Sequence, residues 1–137
     1  MNTVAFYEKF GEIAFKETRT LSIPAGNPVP ADEYEYLEYC CTDKNCDCRR
    51  VIIRVLGRHS GNKVWATISY GWEKASFYHK GSPAMRSAAE WSHPTLDPLN
   101  PQTAHSATFL AAFEQMIKDK AYVDRLKRHY KMFKKGF

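Results

Sequence analysis

Glycine is scarce in this chain, seven residues in 137, and neither Gly-x-Gly-x-x-Gly nor Gly-x-x-x-x-Gly-Lys occurs. Loops that cradle phosphates through backbone N–H groups depend on such glycines, so nucleotide chemistry of those two kinds is set aside. Gly-x-Ser-x-Gly is also missing, and Ser92, His93 and Asp97 therefore do not add up to a nucleophile elbow. No apolar run approaches the roughly 20 residues that cross a bilayer. The first ten residues include Glu8 and lack a basic segment leading into a long apolar one, so no secretory signal is visible. The expectation is a soluble, cytoplasmic protein with no membrane partner. Cys-x-x-Cys, the usual spacing of a redox-active pair, is absent too.

What is present describes a globular chain. The apolar fraction is 44% and the charged fraction 26%, which argues against disorder. The length suits a single domain, 1–137. The net charge of +5 is unevenly placed. Lys118 to Phe137 hold eight Lys/Arg and two Asp, a local +6, while the rest of the chain nets −1. The basic character belongs to the end of the sequence, so the overall balance is no argument for nucleic-acid binding by the whole domain.

Phe6, Phe10, Ile13 and Ala14 recur at helical spacing and predict a helix over 4–16, in competition with an alternating strand through Ile13, Phe15, Leu21 and Ile23. Thr18 to Ile23 favours strand and stops at Pro24. Aromatic residues 34–41 and β-branched residues 50–56 predict two strands, and Val64, Trp65, Thr67, Ile68 and Tyr70 a third. Ser60-Gly61-Asn62 supplies the turn that joins the last two as a hairpin.

Residues 77–102 hold four of the seven prolines and read as an irregular loop. Ser82-Pro83 within it is a start signal for a short helix. Asn100-Pro101 is a similar signal for a longer one, whose stripe is Phe109, Leu110, Phe113, Met116 and Ile117. A basic final helix, 121–135, follows, with Val123, Leu126, Tyr130 and Phe133 inward and Arg125, Lys127, Arg128, Lys131, Lys134 and Lys135 outward. The fold expected is α+β: a three- to four-stranded antiparallel sheet with a C-terminal helical hairpin packed on one face. Most of the strand aromatics would be core. Trp72 and Glu73, at a strand end beside the loop, are the pair expected to border a pocket.

All four cysteines fall within nine residues, Cys40-Cys41-Thr-Asp-Lys-Asn-Cys46-Asp-Cys48. Disulfides are disfavoured by a reducing compartment and by the short loops. Reduced thiols without a metal remain one reading; a tetrahedral metal, zinc above all, explains the clustering better. Adjacent residues on a strand face opposite ways, so only one of Cys40 and Cys41 joins the site readily. The preferred ligands are Cys41, Cys46 and Cys48, with Cys40 as a small buried hydrophobe. Cys40, His93, His129, an Asp or water would complete the shell.

Residues 36–51, Tyr-Leu-Glu-Tyr-Cys-Cys-Thr-Asp-Lys-Asn-Cys-Asp-Cys-Arg-Arg-Val, resemble the core of a group of uncharacterised, mostly bacterial proteins. In these a strand ending in Tyr-Cys runs, after four residues, into Cys-Asp-Cys-Arg-Arg-Val, and some carry a zinc-binding SEC-C motif. Ile68-Ser-Tyr-Gly-Trp-Glu73, Thr95-Leu-Asp-Pro-Leu-Asn-Pro-Gln102 and Leu126-Lys-Arg-His-Tyr130 match as well, so the likeness spans about residues 12 to 134. It implies the same three cysteine ligands and no assigned activity. Cys40 stands where an aromatic is usual, and the SEC-C ligands are missing. The function expected is a small zinc module that binds a protein or nucleic-acid partner, the latter through the basic helix. The alternative is a metalloenzyme with an open cysteine-ligated site.

Overall fold

The chain alternates short apolar strands with polar turns, and the antiparallel ladders satisfy the backbone while one face of each strand is buried. The computed structural model describes residues 2–80 and 92–136, apart from the side chain of His79. In chain order the elements are β1 (Thr3–Ala5), α1 (Phe6–Lys9), α2 (Gly11–Glu17), β2 (Thr20–Ile23), β3 (Asp32–Cys41), β4 (Arg50–Gly57) and β5 (Val64–Gly71). They continue with α3 (Ala75–His79), β6 (Thr95–Leu96), α4 (Ser106–Met116) and α5 (Lys120–Lys135). The expected mixture of helix and strand is present. The Ser82-Pro83 helix start lies outside the described residues.

The sheet is antiparallel, in the order β1-β3-β4-β5-β6, with β2 also paired to β3. It has six strands where three or four were expected. The additional strands are too short to carry an alternating signature. β1 pairs with the Tyr39–Cys41 end of β3 and β2 with the Asp32–Glu35 end, so the two lie in tandem along one edge. The helix predicted over 4–16 is accordingly shorter. Val4 and Ala5 belong to β1, and the chain breaks at Phe10 (φ −128°, ψ 56°) into α1 and α2. β4 and β5 form the expected hairpin, with Gly61 at φ +65° in its turn, a conformation glycine adopts without a Cβ clash.

Register puts Tyr36, Val55 and Ala66 in one row and Glu38, Ile53 and Ile68 in the next. This face meets the helices, in a core that includes Phe109, Phe113, Met116, Tyr122 and Leu126. Tyr36 stacks on Phe113 at 6.2 Å and donates its hydroxyl to the Phe109 carbonyl at 2.9 Å. α4 lies against β5 and β6, and α5 against β4 and α1. Instead of a closely paired hairpin, the two helices each contact the sheet more than one another, meeting where Phe113 and Tyr122 pack edge to face at 6.1 Å.

α4 begins at Ser106, not at Pro101, because the preceding segment is hydrogen-bonded to β5. The Gln102 side chain donates to Thr67 O and accepts from Thr67 N, the Thr67 hydroxyl reaches Pro101 O, and Thr103 and Ser106 hydroxyls both donate to Trp65 O. Side chains thus extend the ladder beyond β6. α5 is capped by the Asp119 carboxylate, which accepts from Ala121 N at 3.0 Å. Its buried residues are Tyr122, Leu126, His129, Tyr130 and Phe133. Tyr122 takes the inward place expected for Val123. Among the described residues no helix is long and apolar enough to cross a membrane.

Candidate metal centre

Residues 42–49 form the connection between β3 and β4 and carry two of the clustered thiols. The turn is local chemistry: Asp43 Oδ1 accepts from Asn45 N, Asp43 O accepts from Cys46 N at 3.0 Å, and Asp43 N approaches Cys41 Sγ at 3.4 Å. Arg49 closes the loop at φ 44°, an uncommon conformation for a side-chain-bearing residue. Neighbouring elements hold it there. Tyr130 Oη accepts from Arg49 N at 3.1 Å and donates to Asp47 Oδ1 at 3.2 Å, while Tyr78 Oη donates to Arg49 O at 2.9 Å. The Arg49 guanidinium pairs with Asp47 and Glu73 and lies 4.5 Å over the Phe77 ring. Lys134 Nζ reaches Asp43 O at 2.8 Å.

The outcome is a convergence of three sulfurs. The Sγ atoms of Cys41, Cys46 and Cys48 all lie within 4.8 Å of one another. Zinc–sulfur bonds of about 2.3 Å in a tetrahedron separate the sulfurs by about 3.8 Å, so closing on an ion takes small side-chain movements. Cys41 and Cys48 are buried and pack with Tyr130; Cys46 is half-buried. Burial first, then the neighbouring Cys48 and Cys41, pushes the Cys46 thiol up to about 12. Three thiolates repel in such a place, and a bound dication supplies the charge that reverses this.

The three residues named as a further ligand fare differently. Cys40 is 1% exposed and packs with Phe6, Ala14 and Phe133, and burial holds its thiol well above the ordinary range. His93 is exposed and outside the cluster. His129 has both ring nitrogens engaged, Nδ1 with Glu38 Oε1 at 2.8 Å and Nε2 with Glu17 Oε1 at 2.7 Å. Among the described residues the cluster has three members. By composition, residues 81–91 contain one further ligand type, Glu90.

The Glu17–His129–Glu38 array went unnoticed in the sequence. His129 is 1% exposed, is stacked on Phe6 at 4.2 Å, and joins α2, β3 and α5. Burial opposes its charged form, but the hydrogen bonds and charges of Glu38 and Glu17 outweigh that and raise its pKa. The His129 hydrogen bond, followed by the Arg128 one, lowers Glu17 to about 2. A signal did exist: Glu38 continues the inward alternation Tyr34, Tyr36, and an acid at such a position calls for a cation.

Cys46 opens onto a groove of about 670 Å³, lined also by Lys44, Lys127, Lys131, Lys134 and Lys135. The groove's acids are already engaged, Asp47 with Arg49 and Tyr130, Asp124 with Lys120 at 2.8 Å. Trp72 and Glu73 are half-buried and flank the loop, Trp72 packing on Tyr130 at 5.2 Å. No protein-family model, curated protein or solved structure matches the chain.

Proposed function

We propose that this protein is a zinc-binding module whose metal is held by the thiolates of Cys41, Cys46 and Cys48, and which binds a nucleic acid along the adjoining groove. The observation that carries the reading is the mutual approach of the three sulfurs within 4.8 Å on a loop clamped by α5. The residues suit the ion, since soft thiolates select zinc among common divalent cations. Zinc there would fix the β3–β4 connection, and with it Lys44 and Lys134 on the groove wall. The resemblance of residues 36–51 to the Cys-Asp-Cys-Arg-Arg-Val proteins implies the same ligands.

The partner is inferred from charge. The groove has lysines on both walls and no unengaged carboxylate, the arrangement that neutralises phosphates. Binding of a fluorescent single-stranded oligonucleotide, followed by anisotropy over a salt series, tests this. Affinity is expected to fall steeply with salt, and Arg128→Gln, Lys131→Gln and Lys135→Gln each to reduce the slope by about 1. A salt-insensitive or absent interaction overturns the nucleic-acid assignment and directs the search to a protein partner.

An open metalloenzyme site is the second reading, favoured by the three-membered cluster beside a groove. Hydrolysis there also needs a general base, and Asp47 and Asp124 are both committed elsewhere. The binding module therefore takes precedence.

A further inference from the structure

The sheet face turned away from α4 and α5 holds a second pocket. Along it, register places Arg54 opposite Thr67, Ile52 opposite Ser69, and Ser69 in turn opposite Thr95. Arg54, Ser69 and Thr95 therefore form a diagonal row across three strands, close enough for one small molecule to touch all three. The loop Asp97–Asn100 stands beside the row and encloses a cavity of about 650 Å³. That is the size of a small-molecule site.

Two polar atoms of its lining residues have no hydrogen-bond partner among the described residues. Among the described residues the Oγ of Ser69, a residue 2% exposed, makes no hydrogen bond, and the buried Arg54 Nε makes none either. Buried polar atoms are nearly always satisfied, so an orphaned hydroxyl and an orphaned guanidinium N–H on neighbouring strands call for an acceptor. Arg54 lies 4.7 Å over the Tyr39 ring, which fixes its plane from outside the cavity. Arg50 adds a second positive charge to the lining. The one acid there, Asp97, is held by its own loop: Oδ1 accepts from Leu99 N at 2.9 Å and Oδ2 from Asn100 Nδ2 at 2.7 Å. The remaining wall, Ile52, Leu96, Pro98 and Leu99, is apolar, and Leu99 stands 92% exposed.

We propose that this pocket binds a small organic oxyanion, a carboxylate or phosphate monoester with a short apolar body, through Arg54 Nε–H and Ser69 Oγ–H. The Nε–H donates a charge-assisted hydrogen bond to one oxygen of either group, and the hydroxyl supplies a second donor. The apolar wall receives the body of the ligand. The pocket is independent of the thiolate site and of what lies in the basic groove.

The test follows the Arg54 Nε–H resonance of ¹⁵N-labelled full-length protein, together with the backbone amides of Ser69 and Thr95, which also report on Arg54→Lys, during separate titrations with hexanoate, hexyl phosphate and inorganic phosphate. A saturable shift with hexanoate or hexyl phosphate is expected, weakened about tenfold by Ser69→Ala and by Arg54→Lys. The two alkyl probes distinguish a carboxylate from a phosphate ligand, and inorganic phosphate is expected to bind more weakly than its hexyl ester. Ser69→Ala removes one oxygen and leaves the fold intact, which unchanged amide shifts of β5 verify. No saturable shift with any probe up to about 10 mM, or an affinity untouched by both substitutions, overturns the proposal.

Discussion

Helix α5 borders two buried groups of ligand-type side chains: Glu17 and Glu38 around His129, and Cys41, Cys46 and Cys48 around Tyr130. In the first, the two ring nitrogens point in opposite directions, so the carboxylates sit at either end of the imidazole and do not converge on one point. Every ring atom able to bond already has a partner in the chain. In the second, three sulfurs from the end of β3 and the connection after it face each other, and Cys41 Sγ also accepts from Asp43 N. Residue type alone does not make a metal site. Convergence of the donor atoms on one point does, and of these two groups only the cysteines have it.

Replacing the centre of the first group should have the largest effect. His129→Ala leaves Glu38 buried without a cation and is expected to cost about 3–5 kcal/mol in urea denaturation. Zinc content should not change, because the histidine ligates nothing. Loss of zinc together with stability in this variant would erase the distinction between the two groups.

Removing the metal should come next. A strong chelator is expected to lower stability by about 2–3 kcal/mol if zinc is held at a hundredfold excess over its dissociation constant. Cys48→Ser should already lie at the lower level and show no further response. An identical chelator response in Cys48→Ser would move the metal to other residues.

Tyr130→Phe sharpens the comparison at the point where α5 supports the thiolate loop. It removes the acceptor of Arg49 N and the donor to Asp47, for about 1 kcal/mol, and should weaken zinc binding severalfold in competition with a chromophoric chelator. Unchanged zinc affinity would mean that the loop is set by its own turn.

The mildest perturbation is pH. Glu17 is lowered to about 2 from 4.5, so its contribution is present above pH 4.5 and fades as pH falls toward 2. His129 is raised above 6.5, so its contribution is present below pH 6.5 and fades as pH rises through the higher folded value. Stability from this array is therefore greatest between about pH 4.5 and 6.5. In His129→Gln the decline on the alkaline side should vanish from thermal melts; its persistence would assign it elsewhere.

The thiolate group was legible in the sequence because its ligands lie within eight residues, where spacing nearly dictates geometry. The β4–β5 hairpin was legible for the same reason, through its alternation and the Ser60-Gly61-Asn62 turn. The histidine array was not, since His129 meets Glu38 and Glu17 across separations of 91 and 112 residues. β1 and β6 escaped because strands of three and two residues owe their existence to the neighbour they pair with, whereas β2 fell within the expected stretch Thr18 to Ile23. Pro101 gave a false helix start because Gln102, the residue after it, spends its side chain on β5. Local chemistry was readable in each case, and tertiary pairing was not.

Elemental mass spectrometry of the purified, tag-free protein, combined with alkylation of Cys46 before and after chelation, tests the thiolate centre itself. About one zinc per chain, with Cys46 reacting only once chelator is added, is the expected result. No bound metal after equilibration with zinc, and a Cys46 that reacts equally fast with or without it, would contradict the account and leave the three cysteines as ordinary thiols of the loop.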